Sequence, residues 1–286
     1  MVRSLLANCH QGCVEFQPYN GVQCTAIALV ALLMFVKHMP DLSELSPSDL
    51  NQSVANGTNF YGHILSSGRE YGYLSHRDLP PTFYSWNGLP GEIEYFFDRY
   101  YGVVNGVVNV DAGEMSFEHA FLEANGITSF HLVTFGGNTV AVYSNICDNT
   151  VYVFDSHQRD SLGFPNENGN AVMLQFENFE EFFQYVTTLF SNMRYEITPL
   201  LFPWYNFDCS TIATSSRSSF LSNEDEVINL CEEQKERQYG YACNKTNSDF
   251  SSFSSTCSSN KNFHTYCKSS ENICSIKKKK EKASCT

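Results

Sequence analysis

Three side chains in this sequence could together form a thiol nucleophile with a base and an orienting carboxylate. Cys24 follows the turn-forming residues 19–21 and opens an apolar run that extends to Val36. A helix N-terminus carries about half a positive charge, which favours the thiolate form of a cysteine placed there. Far downstream, Asp155 and His157 lie two residues apart. The pattern therefore predicts cysteine-dependent hydrolase chemistry, provided that the fold brings these three residues together.

The spacing of Asp155 and His157 favours a shared face of a β-strand. Side chains alternate along a strand, so residues two apart point the same way, about 6–7 Å apart along the backbone. The carboxylate could accept a hydrogen bond from one imidazole nitrogen and support the imidazolium, while the other nitrogen is available to Cys24. The alternative is that these residues only end a strand and cap the following loop, because isolated motifs of this kind are common.

Cys24 itself has two further interpretations, as a buried structural thiol or as a zinc ligand. The buried thiol is the commoner fate of a cysteine. A zinc site requires partners at short spacings, and the only such cluster before residue 209 is Cys9 and Cys13 with His10, which no second pair answers. The sequence therefore predicts no metal and no cofactor.

Gln11 is the side chain that could supply an amide donor beside Cys24. Gln23 adjoins Cys24 in sequence, so we expect its side chain to point away from the thiol. Gln11 lies in the loop that leads to the helix and could fold back toward the thiolate. There its amide would join the backbone N–H of Cys24 in holding an oxyanion. The alternative is an ordinary solvated loop residue.

The elements that must position these residues are predicted as helices followed by strands. Apolar spacing and capping residues predict helices over residues 24–38, 46–57, 58–71, 92–101, 117–124 and 179–190. Alternating patterns predict strands over residues 127–135, 139–146, 150–157, 171–176 and 195–202, with a short strand or arm at 4–7 and further candidates within 103–110. This order predicts an α+β fold, in which an N-terminal helical part with a buried helix bearing Cys24 precedes a mostly antiparallel sheet.

The composition changes near Cys209. Through that residue the chain has 7 Lys and Arg against 22 Asp and Glu, a net charge of −15; the remainder has 11 against 9, a net charge of +2. The acidic part argues against nucleic-acid binding and suits a basic partner, although acidity can also serve solubility alone. We predict a folded domain over residues 1–208 and a disordered tail rich in Ser, Cys and Lys over 209–286.

Cysteine usage and the apolar run bear on the compartment. Only four of the eleven cysteines precede residue 209, and a chain of that length can fold on a hydrophobic core without disulfides. We therefore expect an intracellular, cytoplasmic protein. The run 24–36 is shorter than the about 20 residues that span a bilayer, and no cleavage site follows it, so we expect no membrane or secretory role. The basic run 277–282 is either a nuclear-localisation patch or a solvated end.

The residues around these positions resemble a known family. Gln11, then Gly-Val-Gln-Cys at 21–24, then Phe-Asp-Ser-His-Gln-Arg at 154–159 resemble the deubiquitinating cysteine-protease domain at the N-terminus of herpesvirus large tegument proteins in order and spacing. The stretch 163–172 is similar to related domains of viral and mobile-element proteins. The resemblance spans approximately residues 5–200.

This resemblance implies a papain-like cysteine protease fold and a set of roles. Cys24 would be the nucleophile, His157 the base and then the acid, Asp155 the orienting group and Gln11 the oxyanion donor. The implied reaction is hydrolysis of the peptide or isopeptide bond after the C-terminal glycine of ubiquitin, through an acyl-enzyme on Cys24.

The partners implied by the resemblance are ubiquitin and ubiquitinated proteins. The hairpin 139–154, with Ile146 near its tip, would pack on ubiquitin. We expect a monomer, located in the host cell if the protein is viral. Two alternatives stay open: a ubiquitin-binding module with weak or no catalysis, and a cysteine protease for another ubiquitin-like modifier or for peptides.

Overall fold

The computed structural model describes residues 2–38, 42–80, 93–95, 100–145 and 149–202. The α-helices in these ranges are α1 (Cys24–His38), α2 (Pro47–Ser66), α3 (Phe117–Asn125) and α4 (Phe179–Phe190). The β-strands are β1 (Arg3–Leu6), β2 (Glu94–Tyr95), β3 (Tyr100–Val103), β4 (Phe130–Phe135), β5 (Asn138–Asn145), β6 (Thr150–Arg159), β7 (Asn170–Phe176) and β8 (Arg194–Leu201).

The strands form one sheet in which the described pairs are all antiparallel, as predicted. The order is β1-β7-β6-β5-β4-β8-β2, and β3 also pairs with β8. The segment predicted as a short strand or arm is β1, which lies at the edge of the sheet on β7. The strand that carries the candidate residues, β6, lies between β5 and β7 and is therefore held on both sides.

Helices cover both faces of the sheet, so the domain has two cores. One core contains α1 and α2 with sheet residues such as Tyr143 and Phe154. The other contains α3 and α4 with sheet residues such as Val142 and Val153. Consecutive residues of β5 and β6 enter opposite cores because side chains alternate along a strand.

The apolar run after Cys24 forms α1, and the whole run is buried as predicted. Every residue from Cys24 to Val36 is buried. A helix that is apolar on all sides has to be covered on all sides. Here α2 and the sheet supply that cover. Each buried side chain of the size of leucine or valine stabilises the fold by about 1.5–3 kcal/mol.

The prediction of two helices over residues 46–71 was wrong, because α2 runs unbroken from Pro47 to Ser66. We expected Asn56-Gly57 to end a helix, since glycine is a weak helix former. Instead, Gly57 lies where α2 crosses α1. A Cβ at Gly57 would lie 2.4 Å from the Cα of Ile27. Glycine is required there by the close approach of the two backbones.

The predicted helix over residues 92–101 was also wrong. The described part of this stretch pairs with the sheet: Glu94 and Tyr95 form β2 opposite Leu201 and Leu200, and Tyr100 opens β3. In the described part of this stretch, two short strands instead meet the same partner, β8. Pairing with a strand a hundred residues away overrides the local pattern.

Several predictions lie outside the described residues. These are Ile146 at the hairpin tip, the domain boundary between 208 and 209, and the tail over 209–286. Within the described part of the chain, none of the helices has the length and apolar character needed to cross a bilayer.

The contact between α1 and α2 gives a direct test of the role of Gly57. We expect Gly57→Ala to lower the free energy of unfolding by about 2 kcal/mol, because the added methyl group forces the helices apart. Helix propensity alone would favour alanine by about 1 kcal/mol. The measurement is urea denaturation, with Asn59→Ala on the exposed side of α2 as the control, expected within about 0.5 kcal/mol of wild type. A stabilised Gly57→Ala variant would contradict the interpretation.

Candidate active site

The candidate site lies at the end of the sheet where β5 begins and β6 ends, against the first turn of α1. Cys24 opens α1 and is 1% exposed. Its Sγ lies 3.8 Å from the carbonyl oxygen of Gly137, in the turn between β4 and β5. Gly136 and Gly137 both have positive φ, which only glycine adopts readily, and they make this turn tight.

His157 and Asp155 form a hydrogen-bonded pair on β6, as their spacing predicts. The Nδ1 of His157 lies 2.6 Å from Asp155 Oδ1, and the backbone N–H of His157 donates to the same oxygen at 2.9 Å. Asp155 is 1% exposed. The bond at Nδ1 leaves the Nε2 of the ring for other partners, and the ring interacts electrostatically with Cys24.

The other oxygen of Asp155 is bound by Arg159. The Nε of Arg159 donates to Asp155 Oδ2 at 2.7 Å, and the arginine side chain is only 6% exposed. A shift of register between Asp155 and Arg159 marks a bulge in the pairing of β6 with β7. No role for Arg159 was predicted from the sequence, although continuing the alternation from Asp155 and His157 by two residues places it in the same row.

These contacts lower the pKa of Asp155 and raise the pKa of His157. Burial acts to raise the pKa of Asp155, but the charges and hydrogen bonds of His157 and Arg159 hold it well below its usual range. Burial acts to lower the pKa of His157, but Asp155 and Cys24 raise it to about 9. His157 is therefore cationic at neutral pH.

The pKa of Cys24 is lowered for the same reason. Burial acts to raise the pKa of the thiol, but it is outweighed by the hydrogen bond and charge of His157, with further hydrogen bonds from the backbone of Thr139 and the side chain of Thr25. The arrangement favours a thiolate–imidazolium pair, which is the reactive state of a cysteine nucleophile.

Gln11 is buried beside this pair. It is 4% exposed, so the alternative of a solvated loop residue was wrong. Its carbonyl oxygen accepts from Gln23 Nε2 at 2.8 Å and from the N–H of Gly21 at 3.3 Å, and its N–H donates to the Ser156 carbonyl at 2.9 Å. Gln11 is thus tied both to the segment before Cys24 and to the strand that carries His157. Gln23 points toward this loop.

A chain of threonine hydroxyl groups joins the first turn of α1 to the sheet. Thr25 Oγ1 donates to the Leu74 carbonyl at 2.6 Å and lies 3.0 Å from Thr139 Oγ1, which lies 2.9 Å from Thr134 Oγ1. The residue after Cys24 is thereby joined to β4 and β5. Nothing in the sequence signalled this chain, because its members are far apart along the backbone.

His131 on β4 shows what burial does to a histidine without an anionic partner. It is fully buried against Phe121, and its only described polar contact joins Nε2 to Asn125 Oδ1 at 3.4 Å. Its Nδ1 has no partner. Burial lowers the pKa of His131 to about 3, so this ring is neutral. The comparison of the two histidines indicates that the carboxylate of Asp155 is the main reason why the pKa of His157 is raised.

The short cluster of Cys9, His10 and Cys13 has its own contacts near the site. Cys9 Sγ donates to Asn51 Oδ1 at 3.4 Å, and Cys13 Sγ accepts from the N–H of His10 at 3.3 Å. Across the described ranges, no group of three or more His, Cys, Asp or Glu side chains is arranged to hold a metal ion.

The lowered thiol pKa predicts the pH dependence of alkylation. A lowered pKa keeps the thiolate at lower pH, so iodoacetamide should modify Cys24 well below the ordinary thiol pKa of 9.0. In His157→Ala the largest contributions that lower the pKa of Cys24 are gone and burial remains, so the profile should move to higher pH. Cys9, whose pKa burial raises to about 11, should stay unmodified at neutral pH. Mass spectrometry of the modified peptides measures all three rates. Superimposable Cys24 profiles in the wild type and His157→Ala would contradict the assignment.

The buried ion pair of Arg159 predicts a large loss of stability when it is broken. Arg159→Met should lower the free energy of unfolding by about 3 kcal/mol, because Asp155 keeps its charge and loses one of two partners. Arg69→Met is the matched control, since Arg69 pairs with Asp78 but is 49% exposed and should cost less than about 1 kcal/mol. Denaturant unfolding at pH 7 measures both variants, and equal losses would show that Asp155 does not depend on the guanidinium.

The chain is similar to a known protein family and to a solved protein structure. Residues 6–199 match the profile of the family described as "Herpesvirus tegument protein, N-terminal conserved region". None of the curated proteins compared with the chain matches it. Among solved structures, the ubiquitin-specific protease encoded by the murine cytomegalovirus tegument protein M48, in complex with a ubiquitin-based suicide substrate, is similar with a TM-score of 0.56 and 14% sequence identity. The similarity covers 82% of this chain and 95% of that one.

The structural likeness confirms the predicted α+β, papain-like fold. The family match extends over most of the described domain and includes Gln11, Cys24, Asp155 and His157 within its bounds. The resemblance inferred from the sequence is therefore confirmed: the chain belongs to the herpesvirus tegument protein family, through its N-terminal conserved region.

Proposed function

We propose that the protein is a deubiquitinating cysteine protease. The observation that carries the proposal is the hydrogen bond that holds the His157 ring on the buried Asp155, together with the lowering of the pKa of the Cys24 thiol by His157. A nucleophile, a base and a group that orients the base are the parts that a cysteine hydrolase requires.

The first step is attack of the Cys24 thiolate on the carbonyl carbon after the terminal glycine. A C–S bond forms, and the electron pair of the carbonyl moves to its oxygen. The backbone N–H of Cys24, which lies in the first turn of α1 and has no acceptor within the helix, stabilises this oxyanion together with Gln11 Nε2.

The second step releases the amine. The tetrahedral intermediate collapses, the C–N bond breaks, and the His157 imidazolium gives its proton to the departing lysine nitrogen. The thioester on Cys24 is then hydrolysed: the neutral His157 takes a proton from water, the water oxygen attacks the carbonyl carbon, and the C–S bond breaks. Asp155 accepts a hydrogen bond from Nδ1 throughout and supports the imidazolium.

The proposal of ubiquitin as substrate draws on three observations. The chain belongs to the tegument family, and the similar M48 protease was solved with a ubiquitin-based suicide substrate. The net charge of −15 through Cys209 suits a basic partner surface. In the same proposal, the hairpin of β5 and β6 contacts ubiquitin, with Ile146, outside the described residues, at its tip. The family also supports a location in the infected host cell.

Labelling with a ubiquitin probe tests the proposal. The full chain is incubated with ubiquitin whose C-terminus carries a vinyl sulfone, and the adduct is identified by mass spectrometry. We expect one adduct, on Cys24, that is lost in Cys24→Ala and strongly reduced in His157→Ala, because the thiolate is then no longer favoured. Cys13→Ser is the control and should label like the wild type, since a serine hydroxyl can also accept from the N–H of His10.

The same experiment separates the alternatives. Absence of an adduct with the wild type, or an adduct that survives in Cys24→Ala, would overturn the assignment. Probes built on other ubiquitin-like modifiers distinguish a different modifier from ubiquitin. A ubiquitin-binding module would bind ubiquitin with equal affinity in the wild type and in Cys24→Ala and would release no amine from a ubiquitin conjugate.

A further inference from the structure

We propose that Ser156, the central residue of the Asp-Ser-His motif, is a positioning residue that sets the orientation of the Gln11 amide. The inference rests on the proposed function, because it concerns how that function's oxyanion donor is held. It assigns a role to the face of β6 opposite Asp155 and His157.

The side chain of Ser156 bonds directly to that of Gln11. Ser156 Oγ donates to Gln11 Oε1 at 3.0 Å, and both residues are buried, at 2% and 4% exposure. The backbone of the same two residues is also joined, since the N–H of Gln11 donates to the Ser156 carbonyl. Because side chains alternate along a strand, Ser156 lies on the face of β6 opposite Asp155, which bonds His157 and Arg159, and Ser156 itself faces Gln11.

The backbone of Gln11 is fixed by other contacts, but its amide is not. The bonds from Gly21 and Gln23 end on the backbone carbonyl of Gln11. Of the residues in the described ranges, only Ser156 hydrogen bonds the amide group of Gln11. The two ends of an amide have nearly the same shape, so hydrogen-bond partners decide which end faces which way.

The orientation matters because only one end of the amide can stabilise an oxyanion. With Oε1 bound by Ser156, Nε2 keeps both protons for a ligand. Among the described side chains, the only fully buried polar atom without a partner is His131 Nδ1. The Nε2 of Gln11, which has no partner in the described part of the protein, therefore reaches the surface. The reversed amide would present an oxygen to the oxyanion and repel it.

The burial of Ser156 favours the productive orientation. In the reversed amide, Nε2 would donate to Ser156 Oγ, and the serine proton would lose its acceptor. Leaving a buried donor without a partner carries the full cost of its desolvation. Because Ser156 is only 2% exposed, its hydroxyl favours the orientation in which Oε1 of Gln11 accepts its proton and Nε2 is left for the oxyanion.

A double-mutant cycle tests this role. Ubiquitin with a C-terminal aminomethylcoumarin measures kcat and KM, and p-nitrophenyl acetate measures acylation of Cys24 without a need for ubiquitin. We expect Ser156→Ala to lower the rate of acylation roughly tenfold and Gln11→Ala to lower it roughly a hundredfold. With the ubiquitin substrate, the same losses should appear in kcat and not in KM. In the Gln11→Ala background, Ser156→Ala should cause no further loss, because its effect passes through Gln11. Ser156→Thr, which keeps the hydroxyl, should stay close to the wild type.

Alkylation of Cys24 by iodoacetamide separates positioning from a general disturbance of the site. This displacement forms no oxyanion, so its pH profile should be the same in Ser156→Ala and wild type. A shifted profile, or losses from Ser156→Ala and Gln11→Ala that multiply, would overturn the inference.

The two substrates separate failure of this inference from failure of the proposed function. Suppose that the ester acylates Cys24 with the expected loss in Ser156→Ala, but that the ubiquitin substrate is not cleaved. This result would support the inference and refute the proposal that ubiquitin is the substrate. Cleavage of ubiquitin with Ser156→Ala equal to the wild type would refute the inference alone. Absence of acylation of Cys24 by either substrate would refute both.

Discussion

The buried carboxylate of Asp155 is the group on which the rest of the site depends. An isolated charge in a protein interior costs several kcal/mol, and it is tolerated only when it is paired and hydrogen bonded. Asp155 has a cationic partner on each oxygen, His157 on one and Arg159 on the other. The first pairing raises the pKa of the histidine, and the charged histidine in turn lowers the pKa of Cys24. The neutral His131, buried without an anion, shows that burial alone would have done the opposite.

The fold has to hold the charged residues Arg159, Asp155 and His157 of β6 against α1, a helix that is apolar on every side. Because α1 must be covered completely, it is confined between α2 and the sheet, and Gly57 lets the two helices approach closely. The hydroxyl chain from Thr25 to Thr139 then joins the start of α1 to the end of the sheet. Cys24 on α1 and His157 on β6 thus come from different layers of the domain, and packing between those layers sets their interaction.

Sequence patterns predicted the elements whose signals are local. The bounds of α4 follow from apolar periodicity, and those of α1 follow from a continuous apolar run that ends shortly before Pro40. The hairpin of β5 and β6 follows from alternation around a turn. The pairing of Asp155 with His157 follows from their spacing on a strand. The segments whose structure was predicted wrongly are those in which residues far away in the chain determine the structure. β2 and β3 form because they pair with β8. Gly57 lies inside α2 because the backbone of Ile27 leaves no room for a side chain there. Arg159 and Ser156 gained roles only when the fold showed what lies on each face of β6.

The bond between Ser156 and Gln11 joins residues that are 145 positions apart in the chain. Such a contact forms only after a long loop has closed and is therefore slow to appear during folding. Cys24 is synthesised long before His157, and in the absence of His157 a thiol has an ordinary acidity and is mostly protonated at neutral pH. The growing chain consequently carries an unreactive cysteine. The interaction with His157 that lowers the pKa of Cys24 forms only when β6 has inserted between β5 and β7, so the protonation state of Cys24 depends on the folding of the domain.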